Sequence, residues 1–236
     1  MRKMILDTHV HLDCHNEKIP EDEKVITIGY KNDANVLLPK LSDNVPFTLG
    51  IAPQVAMEET FKKDHEWLNN IKRLINHERC IGIGEIGLDN KWATTEEHRK
   101  RQKLWFEEQL TIAEQNKKPI VIHSRKAEQE IIDILNKWEG NAVFHSFGGK
   151  PATAEEIIDH GWMIGINPLK SKEKKKVIKM GIENLIIETD LPYIGKTFKD
   201  INQSIERIKE VTDMKTADII KVTFDNGIRV FNLRGD

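Results

Sequence analysis

Two periodicities divide this chain. Apolar runs rich in Ile and Val recur at residues 4–6, 25–29, 47–51, 81–84, 120–122, 142–144, 162–166 and 185–187. Short runs of this kind, apolar at successive positions, read as strands buried on both faces, as in a parallel sheet. Helical spacing fills the intervals. Ile131, Leu135 and Trp138 stand at i, i+4 and i+7, and Ile201, Ile205 and Ile208 form a second stripe of the same kind. One face of each such helix is expected to lie against a sheet.

Local signals mark where helices start and stop. Thr94 and Glu97 have the spacing of a capping box, so a long helix is expected from there to about residue 117. Pro151 suits a first helical turn and Gly161 the end of the same helix. In residues 30–43, Pro39 is expected to keep any helix short. Eight strands alternating with helices point to an α/β fold, a single (β/α)8 TIM-type barrel spanning residues 1–236. An open doubly wound sheet is the alternative.

Composition narrows the partners. With 36 Lys and Arg against 38 Asp and Glu, the net charge is −2, so no global basic field exists for holding nucleic acid non-specifically. Two cysteines, Cys14 and Cys80, make no disulfide framework and suit a reducing compartment. No apolar stretch approaches the roughly 20 residues of a membrane span. A cytoplasmic protein is expected.

The polar residues that follow the apolar runs carry the chemistry. In DTHVHLD, residues 7–13, His9 and His11 are two apart and so project from one face of an extended strand. Glu85 follows the fourth run, His123 the fifth, His145 the sixth and Asp190 the eighth. Barrel enzymes place their chemistry at these C-terminal strand ends. Six imidazole and carboxylate ligands exceed the needs of one tetrahedral zinc but suit two divalent metal ions, with Glu85 as a bridge. The mixed donor set leaves Mg, Mn and Zn open. Such a centre can make hydroxide from water and stabilise an in-line displacement at phosphorus, so hydrolysis is the expected reaction class. The other histidines, His15, His65, His77, His98 and His160, read as ordinary solvated residues. The lysine-rich SKEKKKVIK, residues 171–179, reads first as a solvated helix face and second as a phosphate contact.

DTHVHLD, GEIGLD (84–89), PIVIHSRKA (119–127), HSFGG (145–149), ETDLPY (188–193) and the closing DNGIRVF (225–231) resemble, in order, the motifs of the TatD family of metal-dependent deoxyribonucleases. The resemblance implies a barrel metallohydrolase that cleaves DNA, in several members as a 3′ to 5′ exonuclease on strand ends. It implies that His9, His11, Glu85 and Asp190 hold one metal and Glu85, His123 and His145 a second. Asp190 would orient or deprotonate the attacking water, and Glu85 and Asp190 would be the catalytic pair. Arg125 is a candidate phosphate contact and Trp92 a candidate stacking platform for a base.

Three segments depart from the family pattern. GIAPQ (50–54) places Ala52 and Gln54 where histidines are common, NKW follows GLD in place of the usual aromatic pair, and Lys196 and Lys199 replace an Arg-Asn loop. Rival readings are an amidohydrolase, an ester hydrolase acting on a nucleotide or tRNA end, and a non-enzymatic component of a larger assembly. The absence of lysine in GEIGLD tells against dinuclear amidohydrolases bridged by a modified lysine.

Overall fold

A computed structural model describes residues 4–41, 44–57 and 64–233, with the backbone alone for residues 64 and 65. Eight strands follow one another in chain order in one sheet, β1 to β8. They are β1 (Ile5–Val10), β2 (Glu23–Ile28), β3 (Phe47–Leu49), β4 (Cys80–Asp89), β5 (Ile120–Arg125), β6 (Ala142–Phe144), β7 (Met163–Ile166) and β8 (Leu185–Ile187). Nine helices accompany them among the described residues: α1 (Asn32–Leu41), α2 (Pro53–Ala56), α3 (Asp64–Leu74), α4 (Glu96–Gln115), α5 (Glu128–Ile134), α6 (Pro151–Asp159), α7 (Lys172–Ile178), α8 (Ile201–Lys209) and α9 (Thr216–Val230). This is the (β/α)8 fold. Only a 3-10 turn, Leu12–Cys14, separates β1 from β2 in place of a crossover helix.

The chain divides into two compact units, Met1–Thr27 with Val143–Asp236, and Ile28–Ala142. In the first, β6 pairs parallel with β7 and β7 with β8, while Val10 of β1 bridges to Leu191 beyond β8. The β1–β2 register runs Asp7↔Val25 and then Val10↔Thr27, so β1 spends three steps where β2 spends two. That bulge falls on the histidine pair, and bulges re-aim side chains. Helix α9 lies against β1 and β8. Its Asn226 donates from Nδ2 to Ile182 O and Leu185 O at 2.9 and 2.8 Å, which ties the start of β8.

In the second unit β4 pairs parallel with β3 and β5, and nearly every residue of β4 is buried. Two buried glutamines of α4 do structural work there. Gln109 accepts from Ile51 N at 2.7 Å and donates to Ile51 O at 3.2 Å, and Gln102 accepts from Asp89 N at 3.0 Å. Each satisfies main-chain groups that burial would otherwise leave unpaired.

The structure corrects several boundaries. Strands β1, β4 and β5 run past their apolar stretches, so His9, Glu85 and His123 lie within strands and not after them. The backbone ladder continues through polar residues wherever a partner strand is present, as Gly87↔His123 and Asp89↔Arg125 show. Helix α4 begins one residue later than the capping-box spacing suggests: Thr95, not Thr94, is the N-cap and accepts from His98 N at 3.1 Å. Pro39 sits inside α1, which nevertheless runs ten residues, to Leu41. It stands near the C-terminal end, where the lost hydrogen bond costs little helix, and Arg79 Nη2 donates to its carbonyl at 2.6 Å. Pro151 and Gly161 open and close α6 as expected, Gly161 with φ 74°.

Candidate metal centre

In the first unit β1 and the segment after β8 bring three donors together. His9 Nε2 and His11 Nε2 are 3.3 Å apart, and Asp190 Oδ1 lies 3.9 Å from the first and 3.7 Å from the second. The edge of a tetrahedron of roughly 2.1 Å bonds is about 3.4 Å, so these separations fit a tetrahedrally bound divalent ion. All three residues are buried. Asp190 has φ 53°, a left-handed conformation that Asp and Asn tolerate better than most residues, and its N–H donates to His9 O at 3.0 Å. Burial pushes its carboxyl up, but the hydrogen bond from His11 and the neighbouring His9 and His145 outweigh burial and hold it below the usual carboxylate range. Such a group is ionised and ready to bind a cation.

His145 stacks on His9 with ring centroids 4.0 Å apart. His9, His145 and Glu188 form a second trio whose candidate ligand atoms all lie within 4.8 Å of one another. Glu188 stands in ETDLPY, yet the sequence reading took only Asp190 from that motif. It is fully buried, and burial pushes its carboxyl up to about 8.

Asp7 shares the parity of the histidines but serves the backbone. Its carboxylate accepts from His9 N at 3.2 Å, Thr189 N at 3.0 Å and Thr189 Oγ1 at 2.6 Å. The strand bearing His9 and the segment bearing Asp190 are thereby fastened together. Tyr193 sets its ring edge-on to His11, centroids 5.0 Å apart, with 56% of its surface exposed.

In the second unit β4 and β5 pair Glu85 with His123, Oε1 to Nδ1 at 2.7 Å. The other ring nitrogen, Nε2, lies 2.9 Å from Asp89 Oδ2 and 3.2 Å from Gln54 Nε2. A histidine that binds metal through one nitrogen commonly rests its other on a carboxylate that fixes the ring, and Asp89 is placed for that role. Asp89 Oδ1 also accepts from Lys91 N and Trp92 N, each at 3.0 Å, and so shapes the turn after β4. Burial raises its carboxyl, but the bond to His123 and those turn N–H groups bring it below the usual range. Sequence reasoning passed over Asp89 although GLD was in view. It also treated Gln54 only as a missing histidine, whereas the amide reaches His123.

Arg125 and Trp92 are both exposed, Trp92 by 57%. The guanidinium of Arg125 makes no ion pair among the described residues. Of the histidines read as solvated whose side chains are described, His160 alone is exposed. His15 reaches Glu17 at 3.3 Å, His77 packs on Phe47, His98 is half-buried, and the side chain of His65 lies outside the described residues. The lysine-rich segment is not uniformly solvated: Lys174 is buried, and Lys175 pairs with Glu210 at 3.0 Å.

Buried histidines beside an ionised carboxylate at the strand ends of a (β/α)8 fold are the donor set of a metal-dependent hydrolase, and relatives of this chain carry that name. The chain is a member of the TatD-related DNase family, whose model matches residues 6–232. It is 27% identical to the uncharacterized metal-dependent hydrolase YabD of Bacillus subtilis, over 98% of this chain and all of that one. It is 30% identical to the deoxyribonuclease TATDN3 of Homo sapiens over 65% of this chain and 61% of that protein. The crystal structure of YJJV, a TatD homologue from Escherichia coli, superposes with a TM-score of 0.81 at 20% identity, covering 99% of this chain and all of that one. No helix among the described residues is long and apolar enough to cross a membrane.

Proposed function

We propose that the whole chain, residues 1–236, acts as one hydrolase domain that cleaves phosphodiester bonds of DNA, as a 3′ to 5′ exonuclease on single-stranded ends in a reducing cytoplasm. Two divalent ions, Mg, Mn or Zn, would be held by His9, His11, Glu85, His123, His145 and Asp190. The observation that carries the reading is the convergence of His9 Nε2, His11 Nε2 and Asp190 Oδ1 at 3.3 to 3.9 Å in a buried setting. When bound, such ions would supply Lewis-acid chemistry, lowering the pKa of a water and offsetting charge at phosphorus. The protein's own groups do the rest. Asp190, ionised at neutral pH, orients the attacking water and accepts its proton. Glu85, paired with His123, would be the second carboxylate of the ligand set. Exposed Arg125 neutralises a substrate phosphate, and Trp92 stacks a base next to the scissile bond. The deoxyribonuclease named among the relatives supports DNA as the substrate, and the near-zero net charge favours a grip on a few nucleotides over duplex binding.

The test is to count metal ions per chain and to digest end-labelled single-stranded DNA, duplex DNA and RNA with Mg²⁺, Mn²⁺ or Zn²⁺. Mononucleotides released from the 3′ end of single-stranded DNA are the expected product. Full metal occupancy with no cleavage of any nucleic acid would sink the nuclease reading and return the amidohydrolase or ester reading to the front.

A further inference from the structure

A buried polar chain runs to the residue after His145, and no ligand set includes it. It starts at Lys174 on α7, whose side chain is almost entirely enclosed, at 6% exposure. Its Nζ donates to Leu169 O at 2.6 Å, to Asn167 O at 3.3 Å and to Asn167 Oδ1. Three acceptors answer the three donors of an ammonium group. Asn167 is buried in turn. Its Oδ1 also accepts from Leu169 N at 3.0 Å, which fixes the amide's orientation, so that Nδ2 faces Ser146 Oγ and donates to it. Ser146 N then donates to the carboxylate of Glu188. Glu188 fits there because position 165 is glycine: a Cβ at that position would collide with its carboxylate.

The geometry at Ser146 gives this chain a purpose. Ser146 has φ 51°, a conformation that a residue with a side chain holds only when its surroundings enforce it. Here the enforcement comes from both ends, Asn167 on the hydroxyl and Glu188 on the N–H. The peptide so held is the one that carries His145, whose ring stacks on His9. Burying a lysine is costly, and burial pushes its amine down to about 8 although Glu188 works against the shift. An apolar side chain of the same length would fill the space at less expense, so packing alone does not account for it.

We propose that Lys174, acting through Asn167 and Ser146, is a positioning device that sets His145 and thereby the metal affinity of the site. This rests on His145 being a ligand, as the proposed function has it. Groups that orient metal-binding histidines typically change metal affinity by about ten- to a hundredfold when removed.

The experiment is titration calorimetry of Zn²⁺ and Mn²⁺ into metal-stripped protein, with the Tm of each metal-free variant measured alongside. Ser146→Gly is the sharpest probe, because it removes the hydroxyl while relieving the left-handed backbone. It is expected to weaken metal binding about tenfold without lowering Tm. Lys174→Met and Asn167→Ala are expected to weaken binding at least as much. Ile157→Val, a buried substitution on α6, is the control: lower Tm with unchanged affinity. If Ser146→Gly and Lys174→Met bind both metals as wild type does while His145→Ala does not, the positioning role is overturned. Wild-type binding by His145→Ala would instead overturn the ligand reading itself.

Discussion

Asp190 shows how much a single residue is asked to do. It must accept a left-handed backbone and remain ionised beside two buried histidines. Asparagine tolerates the same backbone and nearly the same shape but carries no charge. Asp190→Asn is therefore expected to fold with a metal-free Tm close to that of metal-free wild type and to lose 10² to 10⁴ in kcat, the range for loss of a proton-transferring group. Glu85→Ala is expected to be equally inactive. Wild-type turnover in either variant, measured on a labelled oligonucleotide at matched metal concentration, would refute the assignment. At this scale the sequence made the candidate ligands visible because residue type and strand parity are local properties. It left Asp89 and Glu188 unnoticed because their meaning depends on His123 and Ser146, which lie 34 and 42 positions away.

Among the elements, helix α4 holds both glutamines that fasten the turn after β4 and the segment after β3. Its start is thus a functional matter as well as a structural one. Thr95→Ala should cost about 1 kcal/mol, since it removes the oxygen that accepts from His98 N. Thr94→Ala should cost a small fraction of that, because Thr94 contributes no cap. Chemical denaturation of the two variants decides between them, and equal losses would show that the cap is shared. Thr94 and Thr95 are indistinguishable by type, and Glu97 favours the wrong one by spacing. Which threonine caps is settled by the turn that Asp89 imposes on Lys91 and Trp92, with Ala93 N donating to Asp89 O at 2.9 Å. The same holds for the strand ends. Period-based reading stops where polar residues begin, whereas the ladder stops only where the neighbouring strand does.

For the whole molecule, the site and the stability are linked. A ligand that binds only the folded state stabilises it, by about 2.7 kcal/mol at a hundred times its dissociation constant. Stripping divalent ions with a chelator is therefore expected to lower Tm by several degrees, and Asp190→Asn should blunt that shift. An unchanged Tm in wild type after verified metal removal would mean that no tightly bound ion contributes to the fold.

What the sequence determined by itself is what repeats or alternates: eight apolar runs, the helical stripes between them and the order of six motifs along the chain. Those follow from backbone geometry acting over a few residues. The tertiary structure decided which polar groups meet. Asp7 finds Thr189 across 182 positions, His123 finds Asp89, and a lysine from a stretch that resembled a solvated helix face turns inward to Asn167. A buried donor or acceptor must find a partner wherever the fold supplies one, and no local period encodes where that will be.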